Sequence, residues 1–283
     1  MIAEENWTIM KLLDWTTEYF KKFNIEWPHL EAEILLAHAL KFKRIDLYVH
    51  FERTLKEEEL ARYKGLILRR SKHEPIAYIT GIQPFMSLDF KVDPSVLIPR
   101  PETEKLVEVA IDLAKEFEAP KILDIGTGCG NIAVSIARYV TDSYLTGIDA
   151  SAEAIDLAAE NAKIHKVDDR CKFIKGDLFP ETGNKFDLIV SNPPYIPTGE
   201  IDELQEEIQF EPRAALDGGP DGLAPIRKII DRSKNYLNPK SYLILEFGIG
   251  QANKILDYSR NFGGAKIFKD HSGTDRIFTL KTS

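Results

Sequence analysis

The 283-residue sequence predicts an α/β fold with a mostly parallel sheet, preceded by a small helical bundle. Up to about residue 72 the apolar residues recur with helical spacing and almost no strand pattern occurs. From residue 101, short apolar segments alternate with amphipathic helical segments, which is typical of a parallel sheet covered by helices on both faces. We therefore predict an N-terminal helical domain (1–72), a connector (73–100) and a second domain (101–283).

The first domain is predicted to contain three helices. One begins with the apolar residues near position 10, and the others cover 30–40 and 55–68. Pro75 ends the helical pattern, and residues 85–92 then alternate with a period near two, as a β-hairpin should. The connector is therefore predicted to carry a hairpin rather than to be a flexible linker.

The second domain is predicted to be a series of strands and helices. The predicted strands are 121–125, 144–148, 171–174, 186–190, 242–246, 265–268 and 276–280, and the predicted helices are 102–117, 131–139, 152–165 and 223–236. In such sheets ligands bind beyond the carboxyl ends of the strands.

Composition excludes several classes of protein. No apolar stretch approaches the roughly 18 residues of a membrane span, and the first residues lack the basic and apolar regions of a signal peptide. We expect a cytoplasmic protein with no membrane partner. The two cysteines, Cys129 and Cys171, cannot form a disulfide framework or a four-thiolate zinc site, and the six histidines show no metal-ligand spacing, so no metal is expected.

The charge distribution bears on nucleic-acid binding. The net charge is -8, and the first 100 residues contain 15 Lys or Arg and 15 Asp or Glu, so the remainder holds the whole acidic excess. An acidic second domain argues against a long groove that follows a phosphate backbone. We expect no stable nucleic-acid binding.

A glycine-rich turn joins the first strand of the second domain to its helix. Gly126, Gly128 and Gly130 follow a G-x-G-x-G spacing, one residue tighter than the dinucleotide fingerprint. Asp149 ends the next strand, where a carboxylate can accept hydrogen bonds from both hydroxyls of a ribose. It could instead cap the helix 152–165, although Ser151 fills that position equally well.

Two further strand ends carry candidate site residues. Asp177 and Leu178 follow the third strand, where an acceptor and an apolar side chain can border an adenine ring, although in isolation Asp177 has the character of an ordinary loop residue. Asn192-Pro193-Pro194-Tyr195 follows the strand 186–190 and suggests methyl transfer to a planar nitrogen. An uncharged amide can orient such a nitrogen, and a proline-locked backbone can aim the Pro193 carbonyl at the same NH2 group. Tyr195 could lie against the planar group, whereas the alternative is a simple strand-ending turn.

Several motifs together resemble the class I S-adenosylmethionine-dependent methyltransferases, and more narrowly the PrmC/HemK family. That family methylates the glutamine of the Gly-Gly-Gln motif in bacterial peptide chain release factors. The similarity covers nearly the whole chain. The motifs that carry it are Glu74-Pro75 with Tyr78-Ile79 and Gly81, Leu97-Ile98-Pro99-Arg100-Pro101-Glu102-Thr103-Glu104, Ser191 to Pro197, Phe210-Glu211-Pro212-Arg213-Ala214-Ala215-Leu216, and Asp221-Gly222-Leu223. Cys129 departs from the family, which usually has Ser or Thr there.

The resemblance implies a Rossmann-like methyltransferase domain with a C-terminal antiparallel strand, and S-adenosylmethionine as cofactor. It implies N5-methylation of glutamine in release factors, which are the expected protein partners. Gly126, Thr127, Gly128, Cys129 and Gly130 would line the methionine end of the cofactor, Asp149 would hold the ribose, and Asp177 and Leu178 would border the adenine. Asn192, Pro193, Pro194 and Tyr195 would form the glutamine pocket, with Asn192, Pro193 and Tyr195 catalytic and Asn192 also next to the cofactor.

Arg100 and Glu102 have two interpretations. The resemblance implies elements that close or brace the site, whereas a salt-bridged helix start with Pro101 at its first position is equally consistent with the sequence.

Three other functions are weighed against glutamine methylation. A nucleic-acid amino methyltransferase acting on adenine or guanine would use the same Asn-Pro-Pro-Tyr chemistry, but the acidic second domain and the missing target-recognition segment count against it. A non-catalytic regulator that binds an adenosine ligand is the alternative from another class. A dehydrogenase is disfavoured because the tighter glycine spacing leaves less room for a pyrophosphate.

Overall fold

The computed structural model describes residues 7–181 and 183–283. The predicted domain 1–72 begins with six residues that lie outside this description. The chain divides into two compact units. One comprises the residues up to Gly81 together with Glu206–Phe210, and the other comprises Ile82–Gln205 and Glu211–Ser283.

The first unit is helical. Its helices are α1 (Ile9–Lys21), α2 (Pro28–Leu40), α3 (Arg44–Val49), α4 (Glu57–Arg70) and α5 (Ile76–Thr80). The core contains Phe20, Leu35, Leu36 and Tyr63, and the Tyr63 hydroxyl donates to the Ala32 carbonyl at 3.1 Å. The three predicted helices correspond to α1, α2 and α4. The helices α3 and α5 were not predicted, because five or six residues are too few to display a helical period.

The segment Glu206–Phe210 is a short 3₁₀-helix that belongs to this helical unit. The buried Arg70 explains its position, because its guanidinium pairs with Glu207 at 3.0 Å and also with Glu31. Glu207 accepts a second contact at 3.2 Å from Nδ1 of His73. A buried guanidinium requires such partners, since an unpaired buried charge is strongly destabilising.

The second unit opens with the predicted hairpin. Strands β1 (Ile82–Phe85) and β2 (Leu88–Lys91) pair antiparallel around Met86 and Ser87, which both have positive φ, +49° and +58°. Positive φ at both central residues is the geometry of a type I′ turn. The Met86 amide donates to Glu104 at 2.7 Å and its carbonyl accepts from the Tyr139 hydroxyl at 2.8 Å, so side chains hold a turn that lacks glycine.

The main sheet has seven strands in the order β5-β4-β3-β6-β7-β9-β8. They are β3 (Lys121–Ile125), β4 (Tyr144–Asp149), β5 (Cys171–Lys175), β6 (Phe186–Ser191), β7 (Leu237–Glu246), β8 (Ala265–Lys269) and β9 (Asp275–Lys281). The first five strands in this order are parallel, and β9 is antiparallel to both of its neighbours. This confirms the predicted mostly parallel sheet with a C-terminal antiparallel strand.

Helices of this unit pack against the sheet. They are α6 (Thr103–Ala114), α7 (Asn131–Tyr139), α8 (Ala152–Ile164), α9 (Ala224–Ser233) and α10 (Ala252–Ser259). Leu123 of β3 shares a core cluster with residues of α9 and α10, whereas its neighbour Ile122, which points to the opposite face, is also fully buried. The sheet is therefore covered on both faces.

Two elements differ from the prediction. Strand β7 begins at Leu237 rather than at 242, because Leu237 pairs with Phe186 before a bulge and the register resumes where Tyr242 pairs with Leu188. The bulge contains Lys240, which has φ +60°. The Asn-Pro sequence just before Lys240 is typical of a turn, so the sequence did not indicate a strand there. The helix α10 was not predicted; at eight residues it is shorter than any helix that was predicted. Within the described ranges, no helix is long and apolar enough to cross a membrane.

Candidate active site

Parallel pairing brings the predicted site residues to one edge of the sheet. Ile125 of β3 pairs with Ile148 of β4 on one side and with Ser191 of β6 on the other. The glycine-rich turn, Asp149 and Asn192 therefore lie at the carboxyl ends of three adjacent strands. Asp177 and Leu178 follow the next strand outward, β5.

The glycine-rich turn is held by its backbone. The amides of Gly126 and Thr127 both donate to the Ile148 carbonyl, at 2.9 and 3.0 Å. Gly126, Gly128 and Gly130 have positive φ of +69°, +54° and +81°. This region favours glycine because other residues meet steric strain there.

Two glycines of the turn face open space. A Cβ added at Gly126 or Gly128 would meet no atom within 4 Å, so the backbone there faces open space. A Cβ added at Gly130 would lie 3.0 Å from Cβ of Ala158, so this glycine serves close packing against α8 instead. Two of the three glycines thus leave room for a bound group to approach the main chain.

Asp149 supports the same turn. Its Oδ2 accepts from the Gly128 amide at 2.9 Å and its Oδ1 accepts from the Ser151 amide at 3.0 Å. The Ser151 hydroxyl accepts from the Ala154 amide at 3.1 Å, so Ser151 is the side-chain cap of α8. A carboxylate has about four lone-pair sites, which leaves half-buried Asp149 with capacity for hydroxyl donors.

Asp177 and Leu178 form a bend after β5. Asp177 is exposed, and Leu178 has φ +62° and packs in part against the core. A leucine in this region is uncommon and strained, and such strain often occurs at ligand sites. The amide of Gly176 donates to the Asp149 carbonyl at 2.8 Å, which ties the bend to β4.

A buried carboxyl that was not among the predicted site residues lies beneath the turn. Asp124 of β3 is fully buried, and its Oδ2 accepts from the Thr127 hydroxyl at 2.6 Å and from the Ala133 amide at 3.3 Å. Burial raises its pKa to about 7. Its place two residues before Gly126 was the only sequence signal.

Cys129 is a buried neutral thiol. Burial raises its pKa to about 12, so the side chain is not a nucleophile near neutral pH. Its carbonyl accepts from Nδ2 of Asn161 at 2.8 Å. Asn161 also exchanges hydrogen bonds with the backbone of Lys91, at 2.8 and 3.0 Å, and so links hairpin strand β2 to the glycine-rich turn. Sequence reasoning missed Asn161, which resembles any polar helix residue.

The acceptor side of the site begins at the end of β6. The Ser191 hydroxyl donates to the Ile125 carbonyl at 2.7 Å, and Nδ2 of Asn192 donates to Oγ1 of Thr103 at 3.1 Å. Among the residues that the structure describes, no group donates a hydrogen bond to Oδ1 of Asn192 or to the Pro193 carbonyl. Two consecutive residues beside the glycine-rich turn thus each present an acceptor without a donor among the described residues.

Tyr195 is anchored at both ends. Its hydroxyl donates to Oε1 of Glu246 at 3.3 Å, and its carbonyl accepts from Nε2 of Gln251 at 2.9 Å. A Cβ at Gly222 would lie 2.3 Å from the Tyr195 carbonyl oxygen, so the Asp-Gly-Leu motif needs this glycine for a close approach. The Tyr195 ring packs in part against the core. Neither Gln251 nor Glu246 was among the predicted site residues.

Glu246 ends β7 as a fully buried carboxyl. Burial raises its pKa to about 7, while the Thr103 hydroxyl, the charge of Arg276 and the Tyr195 hydroxyl lower it. Burial and the neighbouring Glu246 carboxylate raise the pKa of Tyr195 as well. The Tyr195 hydroxyl is therefore a neutral donor in this site.

Arg100 braces the connector. Its guanidinium pairs with Oε1 of the buried Glu211 at 2.5 Å, and Oε2 of Glu211 accepts from the Ile98 amide at 3.1 Å. Helix α6 begins at Thr103 with Glu102 at its cap position, so Pro101 lies before the first helical residue rather than at it. Of the two interpretations, the pairing with Glu211 favours a brace between two motifs over a salt-bridged helix start.

Comparisons with known proteins agree with this geometry. A family described as "PrmC N-terminal domain" matches residues 11–81, and one described as "Methyltransferase small domain" matches residues 104–219. A release factor glutamine methyltransferase of Geobacter sulfurreducens is 47% identical over 277 residues, covering 96% of each chain. One of Rhodopirellula baltica is 40% identical, covering 97% of this chain and 96% of that protein.

A solved structure shows the same fold. A methyltransferase from Pyrococcus furiosus aligns with a TM-score of 0.52 at 19% identity, covering 79% of this chain and 99% of that one. The predicted Rossmann-like methyltransferase fold is confirmed.

Proposed function

The chain belongs to the release factor glutamine methyltransferase family, and we propose how it acts. It transfers a methyl group from S-adenosylmethionine to the side-chain nitrogen N5 of the glutamine in the Gly-Gly-Gln motif of peptide chain release factors. The products are N5-methylglutamine and S-adenosylhomocysteine. The observation that carries the proposal is the pair of free acceptors, Oδ1 of Asn192 and the Pro193 carbonyl, beside the glycine-rich turn.

The cofactor of this family is S-adenosylmethionine, and the residues present fit it. The backbone from Gly126 to Gly130, with open space beside its first two glycines, would receive the methionine end. Asp149 would accept from the ribose hydroxyls, and Asp177 and Leu178 would border the adenine. When bound, the cofactor supplies a methyl carbon on a sulfonium, which is electrophilic without further activation.

The two acceptors would bind the amide NH2 of the glutamine. Each N–H would donate to one of them, so the nitrogen would be held in a defined orientation. Positive charge grows on that nitrogen during transfer, and two carbonyl oxygens aimed at its hydrogens stabilise the charge. Alignment of donor and acceptor can itself supply several kcal/mol of the barrier.

Loss of the extra proton would follow the transfer. A methylated amide that still carries its second N–H proton is strongly acidic at nitrogen, so water can remove the proton without a side-chain base. The neutral thiol of Cys129 and the neutral hydroxyl of Tyr195 are consistent with this, because neither is a base near neutral pH.

The choice of glutamine over a nucleobase rests on the family. The same two acceptors would also bind an exocyclic amine, but neither the nucleic-acid amino methyltransferase nor the non-catalytic regulator is favoured by the relatives. The absence of stable nucleic-acid binding and a cytoplasmic location are parts of the proposal.

The N-terminal domain, residues 1–72, is proposed to recognise the protein substrate, because it carries no catalytic motif of its own. Its removal should raise the KM for the intact release factor far more than the KM for a short Gly-Gly-Gln peptide. Equal losses on the two substrates, with the catalytic domain still folded, would indicate a stabilising role instead.

Mass spectrometry tests the proposed function. Purified protein is incubated with labelled S-adenosylmethionine and, in separate reactions, with release factor and with nucleic acid. We expect one added methyl group on the motif glutamine and none on the nucleic acid. Label on the nucleic acid alone would identify the rival methyltransferase, and label on neither would favour the adenosine-binding regulator.

A further inference from the structure

We propose that Thr103 and Glu246 are positioning residues that fix which end of the Asn192 amide faces the substrate. They form a short chain of polar groups behind Asn192 and are buried away from solvent. The inference rests on the proposed function, because it concerns how the same acceptor pair is prepared for an amide NH2.

Thr103 is hydrogen-bonded to Asn192 and also acts on Glu246. Thr103 is the first residue of α6 and is 1% exposed. Its Oγ1 accepts from Nδ2 of Asn192 at 3.1 Å. Its hydroxyl is also a hydrogen-bonding neighbour of the Glu246 carboxylate and lowers the pKa of that group. Oε2 of Glu246 is buried without a well-aligned partner among the described residues, so this second contact is poorly aligned or long.

The chemistry of the three groups determines which of them donates and which accepts each hydrogen bond. An ionised carboxylate only accepts hydrogen bonds, and a hydroxyl has a single proton to donate. If that proton points to Glu246, the oxygen of Thr103 can only accept from Asn192. The NH2 end of the Asn192 amide must then face Thr103, and Oδ1 must face the substrate.

This direction matters because the two ends of an amide have nearly the same shape but opposite hydrogen-bonding roles. If the Asn192 amide were rotated by half a turn, its NH2 group would face the NH2 of the substrate glutamine. One acceptor would be lost and two donors would oppose each other. Packing distinguishes the two orientations poorly, so a fixed acceptor behind the amide is needed.

The Tyr195 hydroxyl reinforces the arrangement. It donates to Oε1 of Glu246 at 3.3 Å, so a second donor favours the acceptor role of the carboxylate. The charged groups that act on Glu246 are Arg276, which favours its ionised form, and Glu102, which opposes it. The test is therefore carried out at roughly pH 8.5, above the pKa of about 7, so that the carboxylate is ionised.

The test begins with a matched set of threonine variants. Thr103→Val keeps the shape and removes the hydroxyl, and Thr103→Ser restores it. Thr279→Val is the control, because Thr279 is also buried in this unit but lies on β9. We expect Thr103→Val to lower kcat for release factor by about tenfold or more with little change in S-adenosylmethionine affinity. Thr103→Ser should recover most of that loss, and Thr279→Val should keep the wild-type rate.

A second pair of variants tests the order of donors and acceptors from Asn192 through Thr103 to Glu246. Glu246→Gln allows an NH2 donor to face Thr103, which permits the reversed order. Glu116→Gln is its control, since Glu116 accepts the Tyr242 hydroxyl at 2.9 and 3.0 Å and is not part of the site. Binding is measured for release factor and for a form whose motif glutamine is replaced by glutamate. The wild type should prefer glutamine, because two acceptors repel a carboxylate.

A merely structural role would leave this preference unchanged. We expect the preference for glutamine over glutamate to fall by about tenfold in Glu246→Gln and to stay at the wild-type value in Glu116→Gln. An unchanged preference in folded Glu246→Gln, or equal rates for Thr103→Val and Thr279→Val, would overturn the proposal. If Glu246→Gln does not fold, the Val and Ser variants of Thr103 decide the question.

The outcome also separates this inference from the proposed function. A wild-type protein that methylates release factor while the Thr103 variants behave as controls would refute only the positioning role. A wild-type protein that leaves release factor unmodified would refute the function, and the binding preference would still report on the amide orientation because it needs no turnover.

Discussion

Replacing the buried carboxyl of Asp124 with an amide should change how the stability of the protein depends on pH. Asp124 is fully buried under the glycine-rich turn, and burial raises its pKa from 3.8 to about 7. Between these two pH values the folded protein holds a proton that the unfolded chain has released. The unfolding free energy of the wild type therefore falls as the pH rises through this window.

The size of the effect follows from the two pKa values. Each tenfold difference in proton affinity between the folded and unfolded states is worth about 1.4 kcal/mol. Above the folded-state pKa the buried charge thus costs roughly 4 kcal/mol, and about 2 to 3 kcal/mol of this cost develops between pH 5 and pH 8. Asp124→Asn has no such titration, and its remaining oxygen can still accept from the Thr127 hydroxyl and the Ala133 amide.

Urea denaturation of both proteins between pH 5 and pH 8, followed by far-ultraviolet circular dichroism, measures this difference. The three tryptophans, Trp7, Trp15 and Trp27, all lie in the helical unit, so their fluorescence reports separately on that unit. Glu246 also has a raised pKa, but it is present in both proteins and cancels in the comparison. The stability of Asp124→Asn relative to wild type should increase with pH. Parallel pH curves would show that Asp124 is already ionised in the folded state at low pH, contrary to the argument from burial.

Three further predictions concern the turn and the site. Asp149→Ala should weaken S-adenosylmethionine binding by roughly 1 to 3 kcal/mol, the scale of lost hydrogen bonds to a charged acceptor, and unchanged affinity by calorimetry in a folded variant would reject its role. Asn192→Asp should keep cofactor binding but slow single turnover on a Gly-Gly-Gln peptide by more than about tenfold, because it removes the donor to Thr103 and adds a charge beside the sulfonium. Wild-type rates would mean that the motif is only a turn. Gly130→Ala should lower the thermal midpoint more than Gly128→Ala, since both need positive φ but only the former meets a neighbouring side chain; the reverse order would contradict the packing argument.

Local patterns were sufficient for most of the second unit. The strands β3 and β6, the glycine-rich turn and the residues that follow β4 and β6 were all predicted at or within a residue of their places. Each has a strong local cause. A buried parallel strand requires a continuous apolar run, and a turn with positive φ favours glycine.

Local sequence patterns did not predict the short helices or the irregular strand pairing. The helices α3 and α5 are too short to show a period, and α10, with eight residues, was also missed. The start of β7 is hidden by a bulge whose Asn-Pro sequence is typical of a turn. The assignment of Glu206–Phe210 to the helical unit depends on the buried Arg70, which is far away in sequence. Such features are decided by partners that no local window contains.

The sequence by itself therefore determined the parallel sheet and the edge of that sheet at which the predicted cofactor and acceptor residues meet. Only the tertiary structure decided which buried side chains contact these residues. Thr103 lies 89 positions from Asn192 along the chain, and Glu246 lies 51 positions from Tyr195. A threonine at a helix start and a glutamate at a strand end are ordinary in sequence, because helix caps and strand ends usually face water. They become part of the site because folding removes that water and leaves each polar group dependent on the others for its hydrogen bonds.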